Sequence, residues 1–275
     1  MRNYLIAGLL LALSCNNGPK TLEDQGVQIA YTDSGKGDTT LLFVHGWGLN
    51  RTYWTSQMDF FKDKYRVVSV DLPGFGESGT NRDDWSTAAY GRDIDTVMSQ
   101  LNLKNVVLVG HSMAGDIVLE AALHAPSRVL AIVGVDNFKS VKPESEEDRE
   151  AEMRGISLMK KKYRETAEEY FKDDLFYVST PDSIKKRILT DVINDDSAIA
   201  IATMAQPAYP ETQSLQTWGK KLYLINSDYR QTDTADLTAA HVPFQIYYIR
   251  TTGHFPMVER PGEFNVDLEK VLTGL

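Results

Sequence analysis

The stretch Val106-Val107-Leu108-Val109-Gly110-His111-Ser112-Met113-Ala114-Gly115 sets a serine between an apolar run and a helical pattern. A serine at such a strand-to-helix junction reads as a nucleophile elbow. The turn is so tight that the residues two before and two after the serine must be small, and the hydroxyl stands at a helix N-terminus, whose dipole favours developing negative charge. Gly110 and Ala114 meet the size condition, although glycine is usual where Ala114 stands, and Gly115 follows. The chemistry expected of Ser112 is nucleophilic acyl transfer. That chemistry needs two backbone N–H donors aimed at an oxyanion. One is expected from Met113, the residue after the serine. The other is expected from Trp47, in the Gly-flanked turn His45-Gly46-Trp47-Gly48 that closes the apolar run Leu41–Val44. His45 is read as a brace of that loop rather than as a base.

These residues need a scaffold that brings separate strand ends together. Short β-rich runs recur at Val27–Tyr31, Leu41–Val44, Val67–Val70, Val106–Val109, Ile132–Val135, Leu222–Ile225 and Phe244–Ile249. Most are continuously apolar, the mark of strands covered on both faces. Between several of them lie helical patterns. From Ala114, the residues Ile117, Val118, Ala121 and Ala122 form one stripe, closed by Pro126. Alternating strands and helices predict a doubly wound, mostly parallel α/β sheet. Residues 139–210 differ in texture: 27 of these 72 residues are charged, against 24% for the chain, and no strand pattern interrupts them. A capping pattern at Ser145–Asp148, a Thr180-Pro181 start and an apolar stripe through Met153, Ile156, Met159, Tyr163, Ala167 and Tyr170 predict a helical insertion there.

Four motifs stand in order along the chain: HGWG at His45–Gly48, DLPGFGES at Asp71–Ser78, GHSMAG at Gly110–Gly115 and TTGHFPMVERP at Thr251–Pro261. Together they resemble the α/β-hydrolase superfamily over residues 26 to 275. The resemblance implies an eight-stranded sheet, a core of residues 26–138 and 211–275, and a helical cap at 139–210. It implies that His254 is the base that takes the Ser112 proton, and that Asp71 and Ser78 are turn residues. A carboxylate is expected between Ser112 and His254 in chain order, usually just after the seventh strand. There the chain offers Asp228, but it carries Arg230 at the spacing the family's aspartate usually occupies. Asp228 is the expected acid, and Asp136, after the sixth strand, is the alternative. The resemblance implies a serine hydrolase acting on a small or medium carboxylic ester, with no metal or organic cofactor because the oxyanion hole does the electrophilic work. Aminopeptidase, lactonase, carbon–carbon hydrolase and cofactor-free haloperoxidase share this catalytic arrangement. A hydrolase-fold receptor or binding protein is the non-catalytic alternative. A serine at the elbow speaks against haloalkane dehalogenase and epoxide hydrolase, whose elbow residue is aspartate.

The chain has 275 residues, 42% of them hydrophobic, with a formal net charge of −9. That length can bury a large core, and the acidic balance excludes nucleic acid as the main partner, since phosphate needs a basic footprint. The expected partner is a small-molecule, ester-like substrate. Residues 1–15, MRNYLIAGLLLALSC, carry one positive residue and a short apolar run, and so read as an export signal. The segment ends at Cys15, the one cysteine of the chain, as in the lipobox of bacterial lipoproteins, although Ala12 stands where leucine is usual. Residues 16–25 read as a tether. The expectation is an exported envelope protein whose contact with membrane runs only through a lipid on Cys15.

Overall fold

The computed structural model describes residues 20–275. The export signal and Cys15 lie outside the described residues. Eight strands form one sheet: β1 (Lys20–Asp24), β2 (Val27–Asp33), β3 (Thr40–Val44), β4 (Arg66–Val70), β5 (Val106–His111), β6 (Val129–Val135), β7 (Leu222–Ser227) and β8 (Phe244–Ile249). Their order is β1-β2-β4-β3-β5-β6-β7-β8. The pairs β1/β2 and β2/β4 are antiparallel, and every later pair is parallel. This is the doubly wound, mostly parallel α/β sheet that the alternation of strands and helices predicts. Every residue of β3 and β5 is buried. Alternate side chains point to opposite faces, so burial of the whole strand means that both faces are covered.

β1 lies inside the segment read as a tether. Its sequence KTLED is polar apart from Leu22, so it carries no apolar run; Leu22 alone is buried. The strand exists because Gln25 and Gly26, with φ of 47° and 85°, make a two-residue hairpin that folds it onto β2.

Helices connect the parallel strands. α1 (Thr55–Phe61) follows β3, α2 (Thr87–Gln100) follows β4, and α3 (Ala114–His124) follows β5. Between β6 and β7 the chain forms α4 (Glu146–Lys161), α5 (Tyr163–Tyr170), a single π turn at Phe171–Leu175, α6 (Asp182–Asn194), α7 (Ser197–Met204) and α8 (Glu211–Trp218). α8 packs back on α3. After β7 come α9 (Thr234–Ala239), α10 (Pro256–Glu259) and α11 (Pro261–Thr273). Ser145 caps α4 by accepting the Asp148 amide at 3.1 Å. Thr180 is not the cap of α6, which starts one residue later at Asp182. Its hydroxyl accepts from the Tyr177 amide at 2.9 Å and donates to Glu259 at 2.7 Å. Met153 also leaves the expected stripe: it is 58% exposed, whereas Ile156 and Met159 are buried. Among the described residues no helix is long and apolar enough to cross a membrane.

Candidate active site

Four loops meet at the carboxyl ends of β3, β5, β6 and β8, the edge of such sheets where ligands bind. β5 delivers Ser112 at φ 53°, left-handed backbone that a serine adopts only under local constraint. The constraint is visible. The Ser112 amide donates to Val135 O at 3.0 Å, and its carbonyl accepts from Gly115 N at 2.8 Å. The chain then doubles back so closely that a Cβ on Gly110 would lie 2.3 Å from Ala114 O. Glycine is therefore required there. Ala114 fits, fully buried, in place of the more usual glycine.

The Ser112 hydroxyl lies 2.7 Å from His254 Nε2, and His254 Nδ1 lies 2.6 Å from Asp136 Oδ2. With the proton on Nδ1, the ring donates to the carboxylate and Nε2 is free to accept from the serine. The Asp136 side chain is 3% exposed and that of His254 16%. Burial pushes the Asp136 carboxyl up, but the hydrogen bond and charge of His254, with the ammonium of Lys139, outweigh it and hold the group well below the usual carboxylate range. Asp136 is thus an anion in the folded protein at neutral pH.

Asp228 is not in this chain of contacts, and the expectation for it is corrected. Its Oδ1 accepts the Thr251 amide at 2.9 Å and so caps the turn after β8. The reason lies in how the two strands end. β7 continues in register with β8 through Ser227, which places Asp228 beyond the strand end beside Thr251. β6 stops at Val135, and Asp136 turns at φ 49° toward the site, a conformation aspartate tolerates better than most residues. Ser227, the last residue of β7, faces Asp136 and gives both its amide and its hydroxyl to Oδ1, each at 2.7 Å. Arg230, at the spacing of the family's usual acid, instead pairs with Asp174.

Trp47 and Met113 both line the cavity that opens on Ser112. Among the described residues, neither of their amides is matched to a backbone carbonyl. The Trp47 indole donates to Ala200 O at 2.8 Å, tying this loop to α7. His45 is fully buried: its Nδ1 donates to Gly46 O at 2.8 Å and its Nε2 accepts from Leu72 N at 2.9 Å. Both ring nitrogens are used, so His45 braces the loop. His111 is also committed, with Nε2 2.7 Å from the His254 carbonyl, and burial pushes it down to about 3. Asp71 accepts from the Arg51 amide at 2.6 Å and from Glu77 N at 2.9 Å, and Ser78 donates to the Asp71 carbonyl at 2.6 Å, so both shape a turn.

The cavity measures about 300 Å³. Trp47, Tyr170, Phe171, Leu175, Met204 and Phe255 give it apolar walls. Among the described residues, Asp116 and Glu152 are its carboxylates and no lysine or arginine lines it. The π turn forms part of the roof: Phe171 stacks on Phe255 with ring centres 6.0 Å apart and planes 17° from parallel. The segment after it is bonded straight to the histidine loop. Leu175 O accepts the His254 amide at 2.8 Å, and Ser179 donates to Thr251 O at 3.0 Å. Glu259 joins the two sides, accepting from Gly253 N at 3.0 Å and from Thr180 at 2.7 Å. A Cβ on Gly253 would lie 2.4 Å from Leu175 O, so only glycine permits this approach.

Sequence reasoning missed Asn137, Ser227 and Glu259. Asn137 Nδ2 donates to the carbonyls of Gly110 at 2.8 Å and Ser112 at 3.3 Å, pinning the elbow from the next strand. The one signal available was the polar pair Asp136-Asn137 directly after an apolar strand. Ser227 has no local signal, because its partner Asp136 is 91 residues away, whereas Glu259 stands inside the Thr251–Pro261 motif, six residues from its partner Gly253.

The chain belongs to the α/β-hydrolase fold family, which matches residues 39–185, more than half of its length. In sequence it is similar to the dihydrolipoyllysine-residue acetyltransferase component of the acetoin cleaving system from Cupriavidus necator, with 34% identity over 107 residues, 39% of this chain and 29% of that protein. The curated relatives it matches are covered over 29–42% of their own length. In structure it is similar to a thermophilic esterase from Thermogutta terrifontis, with a TM-score of 0.79 and 24% identity, covering 93% of this chain and 97% of that one. A bromoperoxidase from Bacillus anthracis gives a TM-score of 0.80 at 19% identity, covering 93% and 100%.

Proposed function

We propose that the protein is a serine hydrolase that cleaves small or medium carboxylic esters through an acyl-enzyme. Ser112 is the nucleophile, His254 the base and Asp136 the acid. The observation that carries this reading is the unbroken line from the Ser112 hydroxyl through both nitrogens of His254 to Asp136. Ser112 Oγ attacks the ester carbonyl as its proton passes to His254 Nε2. The carbonyl oxygen becomes an oxyanion that the Met113 and Trp47 amides stabilise. The tetrahedral intermediate collapses, the C–O bond to the alcohol breaks, and His254 returns the proton to the leaving oxygen. Water, activated by the same imidazole, then releases the acid. Asp136 orients the ring and stabilises its charged form. A cavity of about 300 Å³ with apolar walls suits a short acyl chain, and the lack of a lysine or arginine among its described lining residues disfavours acyl groups with a second carboxylate.

A fluorophosphonate probe and a panel of esters, amides and lactones test this reading. Labelling confined to Ser112, with fastest turnover of short-chain esters, is the expected result. Absence of labelling would leave a hydrolase-fold binding protein. We also propose that the protein is exported and held at a bacterial envelope membrane by lipid on Cys15. One acyl chain binds membranes only marginally, so a diacylated glycerol is the anchor required. Cys15→Ala should move the protein to the soluble fraction, and mass spectrometry of an unmodified N-terminus at another residue would overturn the anchor.

A further inference from the structure

The two oxygens of Asp136 have different surroundings. Oδ2 accepts from His254 Nδ1 at 2.6 Å. Oδ1 accepts from the Ser227 amide and hydroxyl at 2.7 Å each, and from the ammonium of Lys139 at 2.8 Å. This is not a loose surface ion pair. Lys139 follows β6 by a few residues, and its Nζ is held on two further acceptors, the Arg230 carbonyl at 2.8 Å and Ser227 Oγ at 3.2 Å. Its own carbonyl accepts the Asp233 amide at 2.6 Å, which fixes the backbone beneath it. The Lys139 side chain is 21% exposed, against 3% for Asp136. A charge-assisted bond with this geometry fixes a carboxylate in rotation as well as in position.

We propose that Lys139 is a positioning residue for the triad, an inference that rests on the serine-hydrolase reading. It locks Asp136 so that Oδ2 faces the imidazole, and its ammonium shares that one carboxylate with the ring. A carboxylate already paired with an ammonium stabilises an imidazolium less than an unpaired one does.

The other groups facing His254 do not supply this effect. His111 packs against the ring at 4.8 Å between centres, but burial keeps it uncharged. Arg230 spends its charge on Asp174, and Arg260 on Glu263, while its Nη2 also donates to Thr251 Oγ1 at 3.1 Å. Glu259 is engaged by Gly253 and Thr180, Asp228 by Thr251 N, and Asp116 and Glu152 stand across the cavity. Lys139 is the ammonium bonded to the acid itself.

The test is the pH dependence of Ser112 phosphonylation by a fluorophosphonate, which reads the basicity of His254 without a known substrate. The wild-type rate should rise along an acid limb. In Lys139→Met that limb should move to higher pH by roughly half to one unit, the scale of one charge a carboxylate away in a partly buried site. Lys139→Arg keeps the charge and should restore the wild-type limb. Lys139→Gln supplies a second neutral side chain should the methionine variant fold poorly. A purely structural role would lower the rate equally at every pH. A limb that coincides with the wild type in the neutral variants, or moves to lower pH, overturns the proposal, whatever the plateau rate. A wild-type protein that is not labelled at all would instead defeat the serine-hydrolase reading.

Discussion

Ser112→Ala should lower kcat on a reactive aryl ester by about five to six orders of magnitude, the scale of the loss when the triad serine of a serine protease is removed. The fold should survive. The substitution deletes one oxygen whose partner is His254 Nε2, and leaves the Cβ in place. Residue 112 keeps φ near 53°, which strains alanine as it strains serine, so the backbone cost is nearly unchanged. Thermal unfolding should thus shift by no more than a few °C, the effect of about 1 kcal/mol in a protein of this size. Ester turnover at the wild-type rate, with a folded variant in hand, would remove Ser112 from the mechanism.

The second large effect is expected at Asp136. Asp136→Asn should cost roughly two to four orders of magnitude in kcat, whereas Asp228→Asn should stay within about tenfold. The local bonding explains why an isosteric amide does so much damage. Position Oδ1 receives three donors: the Ser227 amide, the Ser227 hydroxyl and the Lys139 ammonium. An asparagine must place its carbonyl oxygen there, since its NH₂ would meet only donors. Its NH₂ then points at His254 Nδ1 and donates to it. The ring proton is forced onto Nε2, the nitrogen that must accept from Ser112. The variant is folded and its histidine is in place, but the tautomer is wrong. Raising the pH does not cure a tautomer, so the loss should persist from pH 6 to 9. Asp228, by contrast, carries the Thr251 amide, and an asparagine oxygen can accept that bond unchanged. If the two variants exchange these magnitudes, Asp228 is the acid after all.

How far these residues were legible follows from how local their determinants are. The elbow could be read because one turn imposes all of its conditions within six residues, Gly110 to Gly115. His254 could be identified through its motif, since a glycine that must admit another backbone stands directly before it. The carboxylate that faces His254 could not be read in the same way. Two aspartates follow neighbouring strands, and the choice between them depends on where each strand ends relative to β8, a matter of register and of one positive φ. Lys139 and Ser227, which hold Asp136, are partners of each other across 88 residues of chain. β1 escaped notice for a different reason: an edge strand with one buried side chain has no apolar pattern to display.

The bonds from Leu175, Ser179 and Thr180 to the loop bearing His254 have a consequence for protein engineering. The insertion between β6 and β7 looks like a cassette that could be exchanged between relatives to change what the enzyme accepts. Here the cassette supplies an acceptor to the backbone amide of His254, so it is not separable from the site. A chimaera that replaces the whole insertion would alter turnover and selectivity together. One that grafts only the stretch before the π turn, and keeps residues 171–180 native, leaves the histidine on its own support. Any swinging of this lid about the core is likewise constrained to hinge elsewhere, because the rim carrying Leu175 is fastened to the loop bearing His254.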